Sequence, residues 1–279
     1  FIYYLAKSMK PNRQGTALEH NYAKEYIPSE NILPESLKDH NYAITRETHF
    51  EIEPKYADDI TWVTTSKESI EQVKRTVPQQ LTARHLTINE TKTEEYTITR
   101  QGPNEWKKCK LLGSLLDTEQ DINRRKTQSI ITYNSLKDIF ESNKLSDSIK
   151  IKTLNTYVGS IFLYNSELWT LTTKLEKSVD AFHRKQLRKV LGYHWPKKIT
   201  NEDLYRKTKA KPWSQTIKKR RLNWLGHMMR LHPKTPARLS LEEHLRATKR
   251  PPGRPPLTWI EMIRRDLKEI NINIELKNP

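Results

Sequence analysis

The chain has 279 residues, 35% hydrophobic and 30% charged, with a formal charge of +17 and a single cysteine. No apolar run approaches the ~20 residues of a membrane span, one cysteine excludes an internal disulfide and fits a reducing, intracellular compartment, and seven Trp and twelve Tyr exclude a chain without a core. The positive excess is confined, because residues 181–265 hold 23 Lys and Arg against 5 Asp and Glu, whereas the remainder is close to neutral.

The opening Phe1-Ile2-Tyr3-Tyr4-Leu5-Ala6-Lys7 reads as an apolar element already in progress, without the basic-then-apolar order of a signal peptide. Residues 10–50 carry Pro11, Pro28 and Pro34 and no periodicity, as in a long loop or insertion. Phe50-Glu51-Ile52-Glu53 alternates like a strand. Tyr56-Ala57-Asp58-Asp59 then leads into the β-forming run Ile60-Thr61-Trp62-Val63-Thr64-Thr65, so strand, tight turn and strand are expected, with both aspartates at the turn. Adjacent carboxylates on a regular strand point to opposite faces, but a turn can bring both to one pocket. Hard cations such as Mg²⁺ prefer such oxygens, and a metal pair held by them serves phosphoryl transfer. Taken alone, the dipeptide reads first as a surface turn, where Asp is simply a good turn residue, and only its neighbours turn the reading toward metal.

Thr65 with Glu68 forms a capping-box pattern, and Ile70, Val73, Val77 and Leu81 recur at helical spacing, with Pro78 as a bend. Leu86-Thr87-Ile88 and Tyr96-Thr97-Ile98-Thr99 read as strands, and Lys110 to Asp117 as a hairpin turning at Gly113. From Thr118 strand signals cease. Helices are expected over about 119–142, 147–168, 174–191, 200–208, 213–231, 236–247 and 258–270. In the second of these, Ile151, Leu154, Tyr157, Val158, Ile161 and Phe162 form one apolar stripe, expected to face the core. Arg250 to Pro256 is a stiff proline-rich linker. Pro252-Gly253-Arg254-Pro255 within it resembles an AT-hook core in which the usual first arginine is replaced.

The fold class expected is α+β, with units at 1–117, 118–180 and 181–279. A one-sign block such as the last meets a polyanion more readily than it forms a plain solvated surface. Interleaved Trp and Tyr favour nucleic acid over a membrane. Arg184, Lys185, Arg188, Lys218, Lys219, Arg220, Arg221 and Arg254 are the expected nucleic-acid contacts. Trp213, Trp224 and Trp259 offer stacking faces, although Leu222, Trp224, Leu225 and Met228 also share a helical core face. The scattered histidines and Cys109 have no zinc-site spacing.

Several segments together resemble one family, the reverse transcriptases of non-LTR (LINE-like) retrotransposons. Tyr56-Ala57-Asp58-Asp59 resembles the YxDD hairpin of reverse transcriptases, and Leu86-Thr87-Ile88-Asn89 with Lys92-Thr93 resembles the motif that follows it. Lys110 to Asp117 resembles the primer-grip hairpin. Tyr164 to Thr172, Phe182 to Gly192, Arg220 to Arg230 and Gly253 to Trp259 resemble C-terminal segments of the same proteins. The resemblance implies a polymerase palm over 1–117, a thumb-like helical region over 118–180 and a basic helical region over 181–279. It implies RNA-directed DNA polymerisation with Mg²⁺, an RNA template and a DNA primer, in the cell interior and in the nucleus. Asp58 would be a metal ligand and Asp59 its partner, Tyr56 would contact the nucleotide or primer end, Lys92 would neutralise or protonate the leaving pyrophosphate, and Gly113 would mark the primer grip. The family places another catalytic aspartate and a Gln-Gly motif upstream. Gln14-Gly15 and Asp39 do not match them, so the chain is expected to be a C-terminal part of such an enzyme, inactive alone. Where the family often has glycine ahead of the Leu-x-Ile-Asn motif, this chain has His85. The alternatives are a degenerate element remnant that only binds nucleic acid, and a metal-dependent nuclease using Asp58 and Asp59.

Overall fold

The computed structural model describes residues 4–7, 9–11, 51–52, 55–56, 59–64, 67–83, 85–97, 104–233, 235–246 and 257–271; up to residue 66, Thr61 alone has a described side chain. The architecture is α+β and divides into two compact units, Phe1–Leu112 and Gly113–Pro279.

The described strand pairs of the first unit are antiparallel. Strands β1 (Tyr4–Lys7), β2 (Met9–Pro11), β3 (Glu51–Ile52), β4 (Lys55–Tyr56) and β5 (Asp59–Thr64) precede helix α1 (Lys67–Thr82), then β6 (Leu86–Ile88) and β7 (Tyr96–Thr97). The main sheet runs β3-β5-β1-β7, with β4 also on β5, and β2 pairs with β6. β1 is central: Leu5 lies opposite Val63 on one side and Tyr96 on the other. The alternating β-formers of Asp59–Thr64 thus have partners on both edges, which a solitary hairpin lacks. Helix α1 continues through Pro78 and buries Ile70 and Leu81. The expected cap at Thr65 lies outside the described residues.

The second unit begins at the turn Leu112-Gly113 between β8 (Lys110–Leu111) and β9 (Ser114–Leu115). It contains α2 (Thr118–Ser135), α3 (Lys137–Glu141), α4 (Asp147–Thr153), α5 (Ser160–Phe162), α6 (Thr173–Val190), α7 (Asn201–Thr208), α8 (Trp213–Arg230), α9 (Pro236–Arg246) and α10 (Trp259–Glu269). Side-chain caps start many of these helices: Asp117, Ser146, Thr172, Thr200 and Thr258 each accept a backbone N–H of the first turn. Thr258 and Glu261 complete a capping box on α10.

Two expectations about these helices change. The run expected over 147–168 is not one regular helix: residues Leu154–Gly159 widen into a π-helical turn, and Asn165 takes a left-handed φ of 56° that ends it. Widening the turn shifts the side-chain register. Leu154, Val158 and Phe162 are fully buried, whereas Tyr157 is exposed and Ile161 only half-buried. The expected boundary at 180 falls inside α6. Val179 and Phe182 share a core with Ile122, Phe162, Leu163, Trp169, Leu171, Trp213, Ile217 and Met262, drawn from both sides of that point.

Phe162 is the hub of this core. Its ring lies 4.5 Å from Trp213, 5.2 Å from Phe182 and 5.7 Å from Trp169. Phe162→Ala leaves a cavity among rigid rings and is expected to cost about 3–5 kcal/mol of stability, against almost nothing for Tyr157→Ala; urea denaturation of the two variants checks the difference.

His183 stacks on Trp213, with ring centroids 4.4 Å apart and an interplanar angle of 7°. It is 1% exposed, and among the described residues neither ring nitrogen has a hydrogen-bond partner. Burial, helped by the charge of Arg184, lowers its pKa to about 3. The unfolded chain therefore binds a proton below its ordinary value of about 6.5 that the folded chain refuses. Stability contributed by neutral His183 is complete above that value and is lost as pH falls toward 3, by up to about 1.4 kcal/mol per pH unit. His183→Phe should flatten the stability profile between about pH 6 and 4 relative to the parent chain, as read by thermal melting across that range.

Candidate nucleic-acid interface

Of the two aspartates expected at a metal-binding turn, Asp59 alone is described, and at backbone level only. β4 and β5 pair antiparallel with Tyr56 opposite Asp59, so the chain reverses between them. Asp59 is the first residue of β5 and Tyr56 the last of β4. Asp58 lies outside the described residues, as do the side chains of Tyr56 and Asp59. Among the described residues no three His, Cys, Asp or Glu side chains gather as for a metal ion.

Downstream, His85 has a left-handed φ of 58°. That is the conformation glycine takes without penalty, so the turn ahead of β6 keeps a glycine-like geometry with a histidine in it. Lys92 ends a single 3-10 turn, Glu90–Lys92, and is exposed. Thr87, Ile88, Asn89, Glu90 and Thr91 line a shallow recess beside it.

Gly113 has a φ of 80°, where a side chain would be strained. Its carbonyl accepts from Arg124 and, at 2.6 Å, from Arg125. Arg125 also donates to Ser114 Oγ at 3.0 Å, and its guanidinium lies 4.6 Å from the Tyr164 ring centroid. Burial pulls its pKa below the usual value, opposed by Asp121. Asp121 is fully buried and accepts from Leu115 N at 3.1 Å and Trp169 Nε1 at 3.1 Å, besides its ion pairs with Arg124 and Arg125. These bonds tie residues 113–117 to α2.

The expected basic contacts separate into different roles. Lys185 and Lys219 are exposed, and Arg184 is half-buried. Arg188 donates to Ile199 O at 3.3 Å and Asn201 Oδ1 at 2.7 Å, which anchors the segment between α6 and α7. Lys218 pairs with Glu269, and Arg220 donates to the Leu163 carbonyl. Arg221 departs from the expectation. It is 1% exposed, pairs with the fully buried Asp266 and donates to Trp169 O at 3.2 Å. Its charge is taken up inside the fold and does not reach a surface phosphate. Burial raises the Asp266 carboxyl above its usual value, and Arg221 opposes that rise. Arg254 lies outside the described residues.

Segments far apart in sequence meet on one side of α8. Glu167, Arg220, Asn223, Trp224 and His227 line an open cleft of about 300 Å³. The Trp224 and His227 rings stack at 5.2 Å, and Trp259 Nε1 donates to Glu167 O at 2.8 Å. Trp224 is half-buried: it packs against the core of Leu225, Met228, Leu241, Ile260, Ile263 and Leu267 and also borders the cleft. Trp213 is 3% exposed and belongs to the core, so no base can stack on it. A guanidinium, an amide and an imidazole beside an indole suit phosphate oxygens and base edges.

Trp195 is not among the stacking residues expected from the sequence, yet it is 82% exposed. Its place between Tyr193-His194 and Pro196-Lys197-Lys198, a run with no aliphatic residue to cover an indole, is the clue the sequence holds.

The chain is 24% identical, over 164 residues, to a transposon-derived protein of uncharacterised function from Caenorhabditis elegans. The alignment covers 57% of this chain and 58% of that relative, so the match spans little more than half of either. The similarity points to a transposable-element origin. No family model matches the chain, and no solved structure matches it. Among the described residues, no helix is long and apolar enough to cross a membrane.

Proposed function

We propose that the chain is part of the RNA-directed DNA polymerase of a non-LTR retrotransposon, contributing a metal-binding turn, a primer-grip turn and a basic helical surface for template and primer. The observation that carries this reading is the antiparallel pairing of Lys55–Tyr56 with Asp59–Thr64, which sets the Tyr-Ala-Asp-Asp segment at a strand reversal. The later segments then follow in the order the resemblance requires, with β6 at Leu86–Ile88, Lys92 at a turn and Gly113 in a left-handed turn. The transposon-derived relative agrees with this origin.

In this reading Asp58 and Asp59 would hold Mg²⁺, which would supply activation of the attacking 3′ oxygen and charge stabilisation at the phosphate. Lys92 meets the departing pyrophosphate as a cation. Gly113, fixed by Arg124 and Arg125, positions the primer end. The exposed lysines of α6 and α8 hold phosphates of the duplex or of single strands flanking it. The test is primer extension by residues 1–279 joined behind the fingers and upper palm of a related element. Mg²⁺-dependent, RNA-templated synthesis is the expected result, and metal-dependent cleavage of nucleic acid in place of synthesis would favour the nuclease alternative.

A further inference from the structure

Six tryptophans have described side chains, and the fold covers five of them at least in part: Trp169 and Trp213 are buried, and Trp106, Trp224 and Trp259 are half-buried. Trp195 stands apart at 82% exposed. An indole presents a large apolar face whose hydration is unfavourable, so an uncovered one on a well-anchored loop is a contact surface in waiting.

The loop is anchored at both ends. Gly192, with a φ of 68°, closes α6: Tyr193 N donates to Arg188 O at 2.8 Å and Gly192 N to Lys189 O at 3.2 Å, the paired bonds of a Schellman cap. At the far end the Arg188 guanidinium holds the Ile199 carbonyl, and Thr200 caps α7. Lys207 sits 5.2 Å from the Tyr193 ring centroid and 3.3 Å from its hydroxyl. Trp195 therefore projects from a tethered segment. His194, Lys197 and Lys198 beside it are all exposed.

Along the segment itself the charge has one sign, although Asp180, Glu202 and Asp203 flank it and Asp147 pairs with Lys207 beside Tyr193. From Ala181 to Asn201 the chain has six Lys and Arg and no carboxylate. An acidic polymer suits such a stretch, and among acidic polymers the one with flat apolar faces between its charges is a nucleic acid with unpaired bases. In a duplex those faces are stacked and unavailable, whereas in a single strand they are open.

We propose that the 192–199 loop is a single-strand binding element in which the Trp195 indole stacks on an unpaired base while Lys197 and Lys198 hold the adjoining phosphates. This rests on the nucleic-acid-binding part of the proposed function and is independent of whether the chain polymerises. Stacking adds affinity without releasing counterions, so the indole and the lysines have separable signatures.

The experiment compares the full chain with Trp195→Ala, Trp195→Phe and the double variant Lys197→Ala/Lys198→Ala, measuring affinity for labelled oligothymidylate and for a duplex of equal length over a salt series. Trp195→Ala should weaken single-strand binding about tenfold or more, leave duplex binding within about twofold and keep the salt slope unchanged, with Trp195→Phe recovering most of the loss. The lysine variant should lower the slope on both ligands. Equal affinity of Trp195→Ala and the parent for the single strand would overturn the assignment, as would equal losses on single strand and duplex. Loss confined to anionic vesicles would move the loop to a membrane surface. Absence of any nucleic-acid binding by the parent chain would remove the broader reading as well.

Discussion

Nucleic-acid binding by the chain is expected to weaken by roughly a thousandfold or more between about 50 and 200 mM salt, if six or more phosphates are engaged. The expectation follows from the confinement of charge, with 23 Lys and Arg against 5 Asp and Glu in residues 181–265. The structure separates charges already taken up within the fold from those left at the surface. Arg221 is buried on Asp266, Arg188 anchors a loop, and Lys218 is paired with Glu269. Lys185, Lys189, Lys197, Lys198 and Lys219 are exposed and remain to meet phosphates. Lys185→Ala and Lys219→Ala should each lower the magnitude of the logarithmic salt slope by about one. Arg221→Ala should leave an unpaired buried carboxylate and destabilise the fold by about 3–5 kcal/mol. Equilibrium titrations at several salt concentrations, with thermal melts of the same variants, separate the two effects. The polypeptide to use is the whole chain or Gly113–Pro279, since a cut at residue 181 would divide the core formed by Phe162, Trp169, Phe182 and Trp213.

Much of the helical unit was legible because its signals are local. The helices expected over about 174–191, 213–231 and 258–270 form as α6, α8 and α10. The strand reversal between Tyr56 and Asp59 was legible for the same reason: β-formers on one side and turn residues between. What escaped depends on partners distant in the chain. Arg221 lies in the run Lys218-Lys219-Arg220-Arg221 and reads as surface charge. Only the carboxylate of Asp266, on the apolar face of α10 between Ile263 and Leu267, hints that one arginine must come inside to meet it. A regular helix over 147–168 places Tyr157 in the apolar stripe, whereas the π-helical turn at Leu154–Gly159 leaves it exposed to solvent. His85 posed the opposite case, since the residue type argued against a glycine-like turn that the backbone nevertheless adopts.

In the proposed polymerase, loss of the Asp58 carboxylate should have the largest effect of any single substitution on synthesis. Two divalent ions held a few ångströms apart require several anionic ligands, and a neutral amide of equal size supplies neither the charge nor the second oxygen. Even groups that only orient a metal ligand change activity by about 10–100-fold, so removal of a ligand should exceed that. In the proposed function Asp58 and Asp59 supply two carboxylates, fewer than a metal pair needs. The isolated polypeptide should therefore extend no primer, and its nucleic-acid affinity should be indifferent to Asp58→Asn because the basic surface lies elsewhere in the sequence.

The decisive measurement is RNA-templated primer extension by the chain fused behind the fingers and upper palm of a related element, with Asp58 intact and with Asp58→Asn, in the presence and absence of Mg²⁺. The account predicts Mg²⁺-dependent cDNA from the intact fusion, none above background from the Asp58→Asn fusion, and equal primer–template affinity for both. Full synthesis by the Asp58→Asn fusion would contradict it.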